Sequence, residues 1–333
     1  DYVAWEELIF QLVKHCNAEK KFGIEYWEVS NEPDIGEDGG CPFRFQQEDY
    51  VIFYQHTAAA IQRADAKAKI GGPALAWYNS NISDALIELC GKTNVPLHFI
   101  SWHVYDSNPG QFRKTIRETK AKLARFPKLK NCETMIDEWN MTLDTPNLNP
   151  AFQPAFILET TLAFHEEGLS RSAYYHIRDS FVDEAQFGKF MSKKGAAFVA
   201  WWWNDMPQYC GLWDNLGRVR PSYFSFKLLS QIRGKKIPVL GTTSEIHAFA
   251  AQNSDLLNVI LWNFPADGKG KTEETILRFP KNKGGRFREI RLVPTNTLNQ
   301  LEIHRVGEVS QLEKEPIKIK LAPYEIHWII IGP

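Results

Sequence analysis

Charge of one sign is the first thing missing from this sequence. Lys and Arg number 39 against 40 Asp and Glu, a formal charge of −1. A nucleic-acid binder carries a basic excess on its contact surface, so nucleic acid is not an expected partner. Long apolar runs are missing too. The nearest, residues 196–203, ends at Asn204-Asp205, far short of the roughly 18–20 residues a membrane span needs. Cysteine offers no framework: Cys16, Cys41, Cys90, Cys132 and Cys210 are five, widely spaced and without a CxxC pair. That is neither a zinc pattern nor a set of disulfides, and reduced, mostly buried thiols are expected. There is no HExxH, no EF-hand loop, no Walker A and no GxGxxG, so neither a metal nor a cofactor is expected. No signal-peptide pattern stands at the front, and the chain opens on Asp1 rather than methionine; compartment is not readable from it.

What is present points to a folded chain. Hydrophobic residues make up 44% of 333, too many for a disordered chain. That length predicts one large domain or two moderate ones. Aromatics reach 13% and crowd into segments such as Trp201-Trp202-Trp203 and Trp213. Aromatic rings stack on the apolar faces of sugars, but they also fill cores.

Periodicity divides the chain in two. Tyr2, Trp5, Ile9, Leu12, Val13 and Cys16 recur at spacings of three and four, which predicts a helix. A short strand follows at 24–29 and stops at Pro33. The unit repeats: helices at 49–66, 83–90, 111–126, 154–167 and 223–232 alternate with strands at 68–70, 99–105, 133–140 and 172–177. Short apolar strands separated by helices predict a parallel sheet with helices over it. Beyond Lys235-Lys236 the helical period disappears. Strands are expected at 246–252, 256–262, 274–279, 287–294, 317–321 and 325–331, with turns at Asp267-Gly268-Lys269-Gly270 and Lys283-Gly284-Gly285. This reads as an all-β sandwich over 237–333, after an α/β unit over 1–236.

Polar groups collect at the C-terminal ends of the expected parallel strands: Asn31-Glu32, His103 and Tyr105, Glu138-Trp139-Asn140, and Tyr175-His176. In a (β/α) barrel those ends share one open face. Glu32 and Glu138 would meet there, and two facing carboxyls are what glycoside hydrolysis uses. His103 and Tyr105, two apart on one strand face, would hold the Glu138 charge; a satisfied core histidine is the plainer reading of His103. Strand alternation would let only one of Tyr175 and His176 point inward, and His176 is favoured. Trp77 and Trp139 are candidate sugar contacts, core packing being the alternative. The 201–203 triplet is expected in a loop over the face. Arg178 reads either as a clamp for a uronate or as a surface ion pair. Asn81-Ile82-Ser83 and Asn140-Met141-Thr142 match the glycosylation sequon, the second discounted as buried.

At these residues the sequence resembles a known family. Val29-Ser30-Asn31-Glu32-Pro33 resembles the Asn-Glu-Pro acid/base motif on strand four of the clan A retaining glycosidases, and Ile136-Asp137-Glu138-Trp139-Asn140 the nucleophile motif on strand seven. Gly71-Gly72-Pro73, Phe99-Ile100-Ser101-Trp102-His103-Val104-Tyr105, Gly211-Leu212-Trp213 and Arg220-Pro221-Ser222-Tyr223 resemble glycoside hydrolase family 39. The resemblance implies a (β/α)8 TIM barrel, here incomplete with strands four to eight, followed by the β-sandwich. It implies a β-xylosidase or related exo-glycosidase, with Glu32 as acid/base, Glu138 as nucleophile and Asn31, His103 and Tyr105 beside them. The substrate would be a glycoside or oligosaccharide.

Three departures stand out. Ser30 replaces the family's usual Trp, Asp34 its usual Asn, and Tyr174-Tyr175-His176 stand where a Trp platform is common. By this numbering strands one to three are absent, so the chain is expected to be a fragment. It is also expected to expose two sheet edges and an apolar face, and to be weakly stable and weakly active alone. Rival readings are an arabinofuranosidase- or iduronidase-like hydrolase, or a carbohydrate-binding protein without turnover. The sandwich is expected to pack on the barrel or assemble a homo-oligomer; its Phe249, Trp262 and Trp328 read as core.

Overall fold

A computed structural model describes residues 1–243, 245–265, 268–279, 285–293, 300–312 and 316–332. Eight helices and five strands build the first unit. The helices are α1 (Tyr2–Lys14), α2 (Gln47–Ala64), α3 (Asn81–Lys92), α4 (Pro109–Ala124), α5 (Phe152–Glu167), α6 (Glu184–Phe187), α7 (Lys193–Asp205) and α8 (Pro221–Gln231). The strands are β1 (Tyr26–Glu28), β2 (Lys69–Leu75), β3 (Phe99–Tyr105), β4 (Glu133–Asn140) and β5 (Arg171–Tyr174). Local chemistry explains the ends. Asp1 caps α1 by accepting from the backbone N–H of Val3 and Ala4, Asn108 caps α4 with Pro109 in its first turn, and Gly168 closes α5 at φ +62°.

The five strands pair in parallel in the order β1-β2-β3-β4-β5. The sheet is curled into half a barrel. Neighbouring strands lie about 4.8 Å apart, so β1 and β4 would be too distant to touch in a flat sheet. Yet the Tyr26 hydroxyl on β1 donates to Glu133 on β4 at 3.0 Å, and the Arg171 guanidinium on β5 lies 4.4 Å from the centre of the Tyr26 ring. Lys69 on β2 joins them, 2.7 Å from the Tyr26 hydroxyl and 3.0 Å from Glu133. The expectation of an apolar open face is therefore corrected. The concave face carries this ionic layer at one end and the polar groups Glu28, Ser101, His103 and Asp137 nearer the other.

Beyond the half-barrel, β6 (Lys235–Ile237), β7 (Ile246–Gln252), β8 (Leu257–Asn263), β10 (Arg286–Val293), β11 (Gln300–Glu308) and β13 (Ile326–Gly332) form one antiparallel sheet, ordered β11-β10-β13-β8-β7-β6. A two-stranded sheet of β9 (Glu273–Leu277) and β12 (Ile317–Leu321) belongs to the same β region. On β12, Ile317, Ile319 and Leu321 are buried while Lys318 and Lys320 are exposed, the period of two that a half-buried strand requires. The buried three share an apolar cluster with Val259, Leu261, Ile329 and Ile331 of the larger sheet. β8 is buried at every position because both faces of its sheet are covered. Its other face meets α5, a helix buried almost all round. There Phe152 packs at a tilt against Phe264 and edge-on against Tyr324, at 5.7 and 5.1 Å between ring centres, and the Trp262 indole N–H donates to Glu159 at 3.0 Å. Trp262 and Trp328 thus belong to one apolar core shared by the half-barrel and the β region.

Several details differ from the sequence expectations. β2 runs on to Leu75, β5 stops at Tyr174, and β6 spans the expected boundary at 236. β11 was not anticipated, because an edge strand with exposed Ile303 and Val306 among charged residues shows no strong apolar pattern. The Trp201–Trp203 triplet lies on α7, not in a loop: Ser192 caps the helix, and Ala196, Val199 and Ala200 give it a buried face. Asp267, Lys283, Gly284 and Pro294, parts of expected turns and of one strand, lie outside the described residues. No helix among the described residues is long and apolar enough to cross a membrane. All five cysteines are unpaired, with Cys90 and Cys210 buried and the others half-buried.

Candidate active site

The chain leaves β1 through a tight turn that aims Glu32 over the ends of the neighbouring strands. Ser30 (φ +76°) and Glu32 (φ +46°) adopt left-handed backbone conformations, which cost a non-glycine residue about 1–2 kcal/mol. Hydrogen bonds hold the turn in place. The Glu32 N–H donates to the Ala74 carbonyl at 2.9 Å, and the Gly36 N–H donates to the Glu32 carbonyl at 2.9 Å. The Asp34 carboxylate accepts from the N–H groups of Ala76 (3.1 Å) and Trp77 (2.8 Å). The departure at Asp34 thus ties the loop after β1 to the loop after β2.

His103 of β3 is the hub. Its Nδ1 lies 2.9 Å from Glu32 Oε1 and 3.9 Å from Glu138 Oε2, and its Nε2 faces Asp137 Oδ2 at 3.4 Å. A bulge explains how Asp137 and Glu138, consecutive in sequence, both reach one ring. Trp102 pairs with Ile136 but His103 pairs with Glu138, so Asp137 is the extra residue and strict alternation breaks there. The Tyr105 hydroxyl donates to Glu138 Oε1.

Electrostatics follow from burial and this company. Burial alone would lower the His103 pKa, but the carboxylates of Asp137 and Glu32 raise it well above the ordinary imidazole value. The surrounding carboxylates thus favour the charged form of the ring. Burial raises the Glu138 carboxyl, while His103 and the Tyr105 hydroxyl pull it back down and Glu32 and Asp137 push it up. Glu28 lies open to solvent along one flank, yet the surrounding wall and the Asp137 charge push its carboxyl up to about 8. Ligand atoms of Glu32, His103 and Glu138 all lie within 4.8 Å of one another.

The remaining sequence candidates fall on different sides of this site. Asn31 is exposed beside Glu32. Trp77 stands at the rim with 65% of its surface exposed. Trp139 is corrected: it is 1% exposed, packed among Phe112, Phe156, Phe164 and Tyr174, because the residue after Glu138 points to the helix side of the sheet. The expectation that Tyr175 and His176 face opposite ways is corrected too. β5 ends at Tyr174, so alternation no longer applies, and the two rings stack at 4.4 Å. His176 Nε2 lies 3.6 Å from the buried Asp179, and Tyr175 meets the Tyr105 ring edge-on at 6.2 Å. Trp203 of α7 stands against both, at 5.8 and 6.0 Å. The Arg178 guanidinium donates to the Asn215 carbonyl. Asn140, fully buried, donates to the carbonyls of Tyr175 and Cys210, so the second sequon is enclosed in structure.

Sequence reasoning gave Asp137 no role, named Tyr175 only as the alternative to His176, and named Trp203 only within the 201–203 triplet. Asp137 was visible beside Glu138, but alternation argued against it, and a bulge has no signature in these residues. Tyr175 and Trp203 come together only through the chain excursion between β5 and α8.

The family model of glycosyl hydrolases family 39 matches residues 1–264. A curated β-xylosidase of Caldicellulosiruptor saccharolyticus is 24% identical over 288 residues, covering 79% of this chain and 53% of that protein. The chain thus spans about half the length of that relative. Among solved structures, a monomeric β-xylosidase from Caulobacter crescentus CB15 superposes with a TM-score of 0.73 at 18% identity, over 100% of this chain and 75% of that one. A glucosidase from Croceicoccus marinus gives 0.73 at 17%, with the same coverage.

Proposed function

Because the chain belongs to glycosyl hydrolases family 39, we propose that it is the site-bearing part of a retaining exo-glycosidase acting on β-xylosides or closely related glycosides. In this reading β1–β5 are strands four to eight of a (β/α)8 barrel, residues 1–236 are its catalytic portion and residues 237–333 an accessory sandwich. The observation that carries the proposal is the approach of Glu32 and Glu138, ligand atoms within 4.8 Å, at the same end of one curled parallel sheet. Retaining enzymes hold their carboxyls about 5–5.5 Å apart, and inverting ones about 6.5–9.5 Å, to admit a water. The short separation supports double displacement.

Tyr105 supports the division of roles. Its hydroxyl donates to Glu138, and a donor of that kind favours the anionic form that a nucleophile needs. Glu138 attacks the anomeric carbon while Glu32 gives its proton to the leaving oxygen, and a sugar ester forms on Glu138. Water then attacks the anomeric carbon as Glu32 takes its proton, the bond to Glu138 breaks to return its carboxylate, and the sugar departs with its configuration retained after two inversions. The imidazolium of His103, between the acids, offsets their mutual repulsion. Tyr175, His176 and Trp203 wall one side of the site, which favours a pocket for a chain end.

Incubation with a 2-fluoro-xyloside carrying a good leaving group tests this. The label is expected on the peptide containing Glu138, and Glu138→Ala is expected to lose turnover by several powers of ten. Label elsewhere, or sugar binding without turnover in either form, refutes the proposal. Aryl xyloside, arabinofuranoside and iduronide substrates separate the sugar specificities.

A further inference from the structure

We propose that the 3-10 turn Gly36–Gly39 is a positioning device for the acid/base carboxylate, with Gly39 as its seat and Glu37 as its anchor to α7; this rests on the glycosidase reading above. Gly39 sits directly against Glu32. A Cβ built there would overlap Glu32 Oε2, come within 3.0 Å of its carboxyl carbon and lie 2.7 Å from Ile35 Cδ1. The backbone at Gly39 is not left-handed, so glycine is needed there for room rather than for conformation. Glu32 is thereby pinched: Oε1 is bound to His103 Nδ1, and Oε2 rests on the bare backbone of Gly39.

Glu37 holds that turn to the opposite wall. Its Oε1 accepts from the Ser192 N–H at 2.7 Å and its Oε2 from the Ser192 hydroxyl at 2.6 Å. Ser192 is the N-cap of α7, and its hydroxyl oxygen accepts from the Gly195 N–H at 3.0 Å. A carboxylate is favoured at that end of a 13-residue helix. The far end of α7 carries Trp203, against Tyr175 and His176. One tether therefore links the turn under Glu32 to the helix that walls the nucleophile side.

The chemical consequence is specific. A proton donor displaced by about 1 Å loses on the order of a hundredfold in transfer. That loss matters only where the leaving oxygen needs the proton. An acidic phenol leaves as its anion unaided, whereas a weakly acidic phenol or a sugar hydroxyl does not. In Gly39→Ala the nearest obstacle is the tip of a flexible side chain, so the Glu32 carboxylate yields and the fold remains.

The test is kcat/KM over a series of aryl β-xylosides of graded phenol acidity, for wild type, Gly39→Ala and Glu37→Gln, with melting curves for each. Expected in Gly39→Ala is near wild-type activity on the most acidic phenol and about a hundredfold loss on the least acidic, so that the leaving-group slope steepens. Glu37→Gln, at a half-buried surface position and keeping a carbonyl acceptor for Ser192, is expected to steepen the slope in the same direction by a smaller amount. An unchanged slope in both variants, or equal loss across the series, overturns the inference while leaving the hydrolase reading intact. A wild-type protein that cleaves none of the series overturns that reading and this inference with it.

Discussion

His103 Nδ1 lies 2.9 Å from Glu32 Oε1 although 71 residues separate the two in the chain. Glu138 and Asp137 stand on other sides of the same ring, at 3.9 and 3.4 Å. One buried ring therefore faces three carboxyl groups, an arrangement that favours its charged form.

Replacing that imidazole tests the arrangement. His103→Phe keeps an aromatic ring but leaves Glu32, Asp137 and Glu138 facing one another without compensation. The Glu138 carboxyl, which His103 pulls down, is expected to rise further. Activity is expected to fall by about a hundredfold or more, with the acid limb of the kcat/KM profile displaced upward. An unmoved limb would show that the ring plays no electrostatic part.

Tyr105→Phe isolates one donor. The hydroxyl favours ionised Glu138, so its loss raises the Glu138 pKa further above the ordinary carboxylate value. A nucleophile must be ionised, so activity is expected to disappear at a higher pH on the acid side. A hydrogen bond to a charged group contributes about 1.5–3 kcal/mol, so kcat/KM is expected to fall roughly 10- to 100-fold. The pH profile of the variant reads both effects.

Glu159 ties the half-barrel to the β region. On α5 it accepts from the Trp262 indole at 3.0 Å and lies 3.2 Å from His247 Nδ1 and 3.7 Å from Arg113. Glu159→Leu strands the buried indole N–H, at a cost of about 1–3 kcal/mol. Glu159→Gln keeps an acceptor and is expected to lose less. Urea midpoints of the two variants are the measurement.

The β region carries its own pH signature. His327 Nδ1 lies 2.7 Å from Glu289 and Nε2 lies 3.0 Å from Glu325, while Arg305 pairs with Glu289 and Arg291 with Glu325. Burial opposes the His327 charge, but the two carboxylates raise its pKa above 6.5. Its stabilisation is complete below 6.5 and is lost as pH rises through the raised value. Burial works against the two acids as well, but His327 and the arginines hold Glu289 below 4.5 and Glu325 at about 2. Their stabilisation is present above 4.5 and is lost as pH falls through the lowered values. The melting temperature is expected to peak between those limits, and His327→Gln is expected to flatten the alkaline decline.

Local order accounts for what was readable in advance. Residues 99–105 and 133–140 match β3 and β4, because short stretches rich in aromatic and β-branched residues between helical segments favour strands. Glu32 and Glu138 were visible because they close strands, and a strand end is a place the chain can name. His103 and Tyr105 followed from a period of two. The same rule misplaced Tyr175 and His176, which lie past the end of β5, and overlooked Asp137, which sits in a bulge. Gly39 had no marker at all, since its use is to leave room for a side chain from seven positions earlier.

By itself, then, the sequence determined most of the segments that become helices and strands in the first unit, that its strands run parallel, and which acids stand at their ends, since each depends on neighbours a few residues away; α7 and the edge strand β11 were not among them. The tertiary structure alone decided that β1 and β4 curl close enough for Tyr26 to reach Glu133, that a bulge turns two consecutive acids toward His103, and that α7 is fastened to the turn beneath Glu32. Those relations depend on sheet curvature and register, which arise only when distant segments pack against one another.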